Sequence, residues 1–336
     1  MASLVTKPVG RALGVAALVV LVALGWFALQ VDPVFAGKGR EVIVTVHPGD
    51  SIATIAGELH AKGVIASPFA FRLDSLFFGA PLVRDGSYEL RQGSSFSAVR
   101  SILGAGPNVV VLDALPGLTL HEMAVNLAAA KGNTYAEAFL RDATALAVKS
   151  PFARGSSLEG LVGAGSYVVG PSESASRLAQ SMADAFVREA ASVGLTPSTT
   201  IQGLNAYQLV TAASIVEKEG YYPKNMPQVA RVIFNRLARG GALQMDATVL
   251  YALGQDGGTV TPSMLQTPSP YNTYLNSGLT PTPICTVSTV ALKAVLHAPP
   301  GPWLYFVVID KSGTEAFATT FAEQLKNERL AASRGL

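Results

Sequence analysis

Cysteine is almost absent from this sequence. Cys285 is the only one in 336 residues, so no intrachain disulfide can form and zinc sites built on thiolates are excluded. Histidine is scarce as well: His47, His60, His121 and His297 are scattered, with no HExxH-type spacing, and neither a metal nor a cofactor is expected. Charge is thin and balanced, with 14% charged residues and 25 basic against 23 acidic side chains, a formal net charge of +2. A polyelectrolyte-binding surface needs a basic excess, so nucleic acid is not an expected partner. What is abundant is apolar. Hydrophobic residues make up 49% and the mean hydropathy is +0.34, which excludes a disordered chain and exceeds what an ordinary soluble protein carries. The length leaves room for two or three domains.

Part of that greasiness has one source. Ala12 to Leu29 is a run of 18 residues without a charge, and a helix of that length covers roughly 27 Å, close to the hydrocarbon thickness of a bilayer. Lys7 and Arg11 precede it, Trp26 sits near its far end, and Asp32-Pro33 stop it. A cleaved signal peptide is the alternative, since Val34-Phe35-Ala36 before Gly37 resembles a small-residue cleavage site. Signal h-regions run about 7–15 residues, however, and this site lies beyond the end of the run. The expectation is an uncleaved single-pass anchor over 12–30, a cytoplasmic tail over 1–11, and export of everything that follows. The positive-inside rule favours this orientation, although Lys38 and Arg40 lie just past the span.

Beyond the anchor the patterns are short. Val42 begins a strand, His47-Pro48-Gly49-Asp50 makes a turn, and a helix from Ser51 places Ile52, Ile55, Ala56 and Leu59 on one face before Lys62-Gly63. Tyr88 to Leu90 alternates, and Phe96, Val99 and Ile102 predict a second short helix; together these make a small α+β module over 40–105. Residues 106–195 read as a connecting α/β region, with a strand at Val109 to Leu112, a helix start at Thr119 to Glu122, and a glycine-rich loop from Gly160 to Gly170. From 196 to 336 the signals are mainly helical. Asn205 caps a helix ending at Gly220, Pro227 opens another that stops at Gly240, and Val290 to Leu296 makes a third. Trp303 to Ile309 reads as a buried strand, and the Pro- and Asn-rich stretch from Thr267 to Pro283 as a long loop of the kind that is usually functional.

Glu217-Lys218-Glu219 closes the Asn205 helix. Residues two apart point to nearly opposite sides of a helix, so these carboxylates are not expected to share a cleft. Composition alone reads them as an exposed charged turn. The alternative is a proton-donating acid: the helix dipole opposes a charge on Glu219, and burial beside Tyr221 or Tyr222 would raise its pKa further. Asn235 and Arg236 interrupt the apolar face of the next helix. Gln244-Met245-Asp246 follows it, and Tyr271-Asn272-Thr273-Tyr274 lies in the Pro-rich loop. Aromatics among amides and hydroxyls suit sugars, but the same residues also make turns and cap cores.

A resemblance separates these readings. ASIVEKE (Ala213 to Glu219), VIFNRL (Val232 to Leu237), LQMDATVLY (Leu243 to Tyr251), YNTY (Tyr271 to Tyr274), GLTPTPI (Gly278 to Ile284) and LYFV (Leu304 to Val307) resemble, in order and spacing, the YceG-like endolytic murein transglycosylases, the MltG family of bacteria. More faintly, HPGDSIATIAGEL from His47 resembles that family's LysM-like module, and Leu158-Glu159-Gly160 the start of its LEGYLFPDTY motif. The resemblance implies an α+β protein with a single N-terminal transmembrane helix, a small LysM-like module and a helix-rich C-terminal catalytic domain with a small sheet. It implies cleavage of the bond between N-acetylmuramic acid and N-acetylglucosamine in peptidoglycan strands, leaving 1,6-anhydro ends, at the cytoplasmic membrane and on its outer side. Peptidoglycan synthases and divisome proteins are the implied neighbours.

The second Glu of EKE, Glu219, is then the catalytic acid and base. Asn235, Gln244, Asp246, Tyr251, Asn272 and Tyr274 are the implied substrate-binding residues. One carboxyl suffices for such a reaction, so no obvious carboxylate partner is expected. This chain departs from the family pattern at LVGAGSY (Leu161 to Tyr167), at Cys285 to Ser288, at Glu315 where His is usual, and at Gln324. These departures keep two other readings open: a non-catalytic glycan-binding or scaffolding protein, and a hydrolytic muramidase.

Overall fold

Serine, threonine and asparagine set most of the helix starts. In the computed structural model, Ser51, Ser67, Ser95, Thr119, Ser174, Asn205, Ser288 and Thr320 each accept the backbone N–H three residues on, which satisfies one of the donors a helix leaves unpaired at its N-terminus. The structure describes residues 7–33, 36–145, 148–155, 157–220 and 222–336, with side chains described from residue 12 onward. The Val34-Phe35-Ala36 cleavage site, Tyr221 and the side chains of Lys7 and Arg11 therefore lie wholly or partly outside the described residues. The result is a mixed α+β protein of twelve helices and four two-stranded sheets among the described residues, divided into two units at Val110/Val111 with Val168–Glu173 added to the first.

The first unit opens with α1 (Lys7–Val31), whose stretch Ala12–Val31 is long and apolar enough to cross a membrane. Next come β1 (Glu41–Val46), α2 (Ile52–Ala61), α3 (Pro68–Phe78), β2 (Gly86–Arg91) and α4 (Phe96–Ala105). The two strands are antiparallel, with Val44 opposite Tyr88, and both of these side chains are fully buried. They share a core with Leu59, Phe71, Phe96 and Leu103, in which the rings of Phe71 and Phe96 meet edge-on at 5.3 Å. α2 and α4 match the sequence reading. α3 went unforeseen, because PFAFRLDSLFF is apolar on nearly every side and shows no helical stripe.

The chain passes between the units along β3 (Val110–Ala114) and β4 (Gly165–Val169), which pair with each other. β4 corrects the glycine-rich stretch read as a loop: its second half, Gly165–Val169, is a strand. The second unit holds α5 (Leu120–Lys131), α6 (Asn133–Thr144) and α7 (Ala175–Ser192), then the minimal ribbon of β5 (Thr200–Ile201) and β6 (Leu204–Asn205). α8 (Ala206–Glu219), α9 (Met226–Ala238), α10 (Asp246–Ala252) and α11 (Thr289–Leu296) follow, and the hairpin of β7 (Tyr305–Val308) and β8 (Glu315–Ala318) leads to α12 (Phe321–Ser333). Most of the 106–195 segment read as a connector therefore folds with the C-terminal part.

α8 is the central element. Leu209, Val210, Ala212, Ala213, Ile215 and Val216 are all buried, and α9, α10 and α11 pack around it. Trp303 to Ile309 differs from expectation: β7 is half-buried rather than enclosed, since β8 pairs along one edge and α12 packs on the ribbon.

Candidate active site

The last turn of α8 opens onto a cavity of about 730 Å³ lined by Thr119, His121 and Glu122 of the α5 start, Glu159, Glu217 to Glu219, Asp246, Ala247, Leu250 and Tyr251 of α10, and the loop after it. That volume is in the range that binds small organic groups. Glu217 and Glu219 both border the cavity, which corrects the expectation that their opposed directions would keep them apart. They are separated by what they bind. Glu217 Oε2 accepts from both the backbone N–H and the hydroxyl of Ser288, at 2.8 and 2.6 Å, and so is tied to the start of α11. Glu219 Oε1 accepts the Ala247 backbone N–H at 2.9 Å.

Glu219 is half-buried, and its surroundings push its pKa up to about 7. Desolvation is the largest cause. The Ala247 N–H opposes it, the Asp246 and Glu315 carboxyls raise the value further, and the Arg236 guanidinium lowers it. The composition-only reading of an exposed charged turn is thereby overturned. A carboxyl with that pKa is protonated in much of the population at neutral pH and remains able to ionise, as a group that must both give and take a proton requires.

The implied substrate residues divide into two sets. Asp246 and Tyr251 line the cavity with Glu219. Tyr274 stands behind Asp246 and donates its hydroxyl to Oδ1 at 2.6 Å. Asn235, Gln244 and Asn272 are not among the lining residues. Asn272 is fully buried; its amide donates to the Leu265 and Thr267 carbonyls at 2.9 Å each, and its oxygen accepts the Tyr274 N–H. This knits the Pro-rich loop into one shape. Gln244 takes a left-handed backbone, φ 52°, and its N–H donates to the Thr273 carbonyl. Asn235 donates to the Gly301 and Trp303 carbonyls at 2.9 and 2.7 Å, beside Arg236, which donates to Leu304 O, and Arg231, which donates to Ala298 O and Pro299 O.

Three features were not foreseen. Glu159 is buried against the α5 start, where both its oxygens face the Leu120 N–H at 3.3 Å. Burial pushes its pKa up to about 8. The only sequence signal for it was the Leu158-Glu159-Gly160 fragment. Gly160 itself has φ 70°, and a Cβ there would sit 2.3 Å from Pro283 Cβ, so the Pro-rich loop closes directly over it. Third, the cavity is rich in carboxyls: Glu122, Glu159, Glu217, Asp246 and Asp256 all border it besides Glu219. The expected absence of an obvious carboxylate partner is corrected accordingly. Among the described residues no group of three or more His, Cys, Asp or Glu side chains is placed to hold a metal ion.

Comparison with known proteins gives this geometry a context. An endolytic murein transglycosylase of Bacillus subtilis (strain 168) is 26% identical over 313 residues, 88% of this chain and 86% of its own length. One from Streptococcus pneumoniae serotype 2 (strain D39 / NCTC 7466) is 26% identical over 348 residues, covering 92% of this chain but 63% of its own length, so the chain spans less than two thirds of that longer relative. A crystal structure of a yceG-like protein from Listeria monocytogenes superposes with a TM-score of 0.57 at 26% identity, over 86% of this chain and 99% of that one. The YceG-like family profile matches residues 44–330, which takes in most of each unit and every residue of the cavity: the chain belongs to the YceG-like family.

Proposed function

We propose that this protein is a membrane-anchored lytic transglycosylase of peptidoglycan in which Glu219 is both acid and base. The observation that carries the reading is the placement of a carboxyl with a pKa of about 7 on the wall of a 730 Å³ cavity, in a family whose curated members are named endolytic murein transglycosylases. Protonated Glu219 gives its proton to the glycosidic oxygen as the bond to the muramic anomeric carbon breaks. The resulting carboxylate is stabilised by the Ala247 N–H, and takes the proton from the C6 hydroxyl as that oxygen closes on the anomeric carbon. No water is consumed, and Glu219 ends protonated as it began. Asp246, whose Oδ1 accepts the Tyr274 hydroxyl, stands beside Glu219 on the cavity wall and faces the oxocarbenium-like centre.

The apolar stretch Ala12–Val31 anchors the chain in the cytoplasmic membrane, with residues 1–11 inside and everything past Val31 outside. Residues 40–105 serve as the LysM-like glycan-binding module, and 196–336, completed by the Thr119 to Glu122 and Glu159 elements, carry catalysis. Synthases and divisome proteins are the proposed neighbours.

The wealth of carboxyls around the cavity favours a second reading, a hydrolytic muramidase in which Asp246 activates water. Digestion of purified sacculi with the full-length protein, followed by mass analysis of the fragments, tests both. Anhydro ends support the transglycosylase, reducing ends support hydrolysis, and intact sacculi refute catalysis and favour a glycan-binding scaffold.

A further inference from the structure

α3 buries Ala70, Phe71 and Asp74 and leaves its other side bare. Phe69 is 66% exposed, Leu76 82%, Phe77 74% and Phe78 69%, and Leu82, past the Gly79-Ala80-Pro81 turn, is 86% exposed. Between Leu73 and Val83 the only charged side chain is Asp74, which is buried and met by Arg100. Scattered exposed apolar residues are ordinary, but five large ones within the fourteen residues 69–82 are a concentration of the kind that marks an interaction surface. Its place in the first unit says with what. α1 packs against α3 and α4, and its contacts with the core are Phe27 and Val31, which lie in the last turns of the apolar stretch Ala12–Val31. α3 thus meets α1 at the level where that helix leaves the hydrocarbon. Trp26 lies at the same level, the depth at which aromatic side chains settle between lipid tails and headgroups. Arg72 is exposed on α3, and the Arg100 guanidinium lies 5.5 Å from the Phe78 ring centroid, so basic groups border the aromatic tip.

We propose that the C-terminal half of α3 and the turn to Leu82 insert into the leaflet from which α1 emerges, giving the first unit a second, shallow attachment to the lipid surface. The inference rests on the reading of α1 as a membrane anchor. A bilayer suits these residues because α3 packs against a helix whose outward side chains are themselves apolar and exposed along Ala12–Val31. An amphipathic element in this setting sinks about 5–10 Å into the headgroup–acyl boundary. Two attachments, one spanning and one shallow, would stop the module from swinging about the end of α1.

Cys285 is fully buried, so an added cysteine takes an environment-sensitive fluorophore selectively. The full-length protein would carry it at Phe77→Cys or at Leu18→Cys and be reconstituted, one copy per nanodisc, in phosphatidylethanolamine and phosphatidylglycerol with spin-labelled lipids. The expected result is a blue-shifted emission at position 77, quenched by at least about half by a spin label near the head of the acyl chain, and quenching at position 18 by a label deep in the chain. Quenching at 18 without quenching at 77 overturns the proposal and leaves the anchor standing. A blue shift at 77 without quenching assigns the patch to protein contact and overturns it as well. No quenching at either position removes the anchor and the proposal with it. Should Phe77→Cys fold poorly, Leu82→Cys reports on the same insertion.

Discussion

Glu219 Oε1 accepts the Ala247 backbone N–H at 2.9 Å, a contact between the end of α8 and the start of α10. It joins two opposed influences on one carboxyl. Desolvation holds the proton on; a donor near a helix N-terminus makes its loss affordable. The net result, about 7, places Glu219 where a single group can serve both halves of the proposed reaction.

Replacing Glu219 with Gln keeps the shape and removes the transferable proton. Cleavage of sacculi should slow by at least about a hundredfold with binding nearly intact. Glu217→Gln should instead weaken the hold on Ser288, costing about 1 kcal/mol of stability, and keep turnover within roughly tenfold of the parent. An inactive Glu217→Gln beside an active Glu219→Gln would reverse the assignment.

Burial raises Glu159 to about 8 in the folded protein against an ordinary 4.5. The folded state binds this proton more tightly than the unfolded one, so the contribution is fully present below about pH 4.5 and is lost as pH rises through about 8. Urea unfolding near pH 5 and pH 9 should show the parent losing on the order of 3 kcal/mol more across that interval than Glu159→Gln. Parallel losses in the two proteins would mean that Glu159 is not held protonated.

Glu315 is buried in β8, where burial also pushes its pKa up to about 7, and its carboxyl raises that of Glu219. Glu315→Gln removes the charge, so the alkaline limb of the kcat profile should move to lower pH by a fraction of a unit. A limb that stays in place, or moves up, would show that the two carboxyls do not sense each other.

Asn272→Ala removes the buried amide that the half-buried Leu265 and Thr267 carbonyls share. A stability loss of about 1–2 kcal/mol and faster proteolysis within 265–283 are expected, with unchanged cleavage products. A variant as stable as the parent but poor in glycan binding would place Asn272 against the sugar instead.

The elements legible in the sequence were those whose caps and periodicity agree. α2, α4, α8, α9 and α11 each combine a capping residue or an N-terminal proline with a regular apolar face. α7 lies in the segment read as a connector although Leu178, Met182 and Phe186 recur every fourth residue on its buried face, a helical period in its own right. α3 differs: apolar residues on most of its sides hide the period. At the site, Glu219 was legible through its motif. The meetings of Glu219 with Ala247, Glu159 with Leu120 and Glu217 with Ser288 were not, since each joins residues 28 to 71 apart in the chain, and no local pattern encodes such distances.

The face of α9 that carries Arg231, Asn235 and Arg236 spends its donors on Ala298 O, Pro299 O, Gly301 O, Trp303 O and Leu304 O. Residues 298–304 contain three prolines, so this stretch has seven carbonyls and four N–H groups and cannot balance its own hydrogen bonds. The guanidinium and amide groups of α9 make up the deficit and deliver the chain into β7. Substituting Asn235 or Arg236 is therefore expected to lower activity by misrouting a strand, and whether β7 still forms separates that effect from a lost ligand contact.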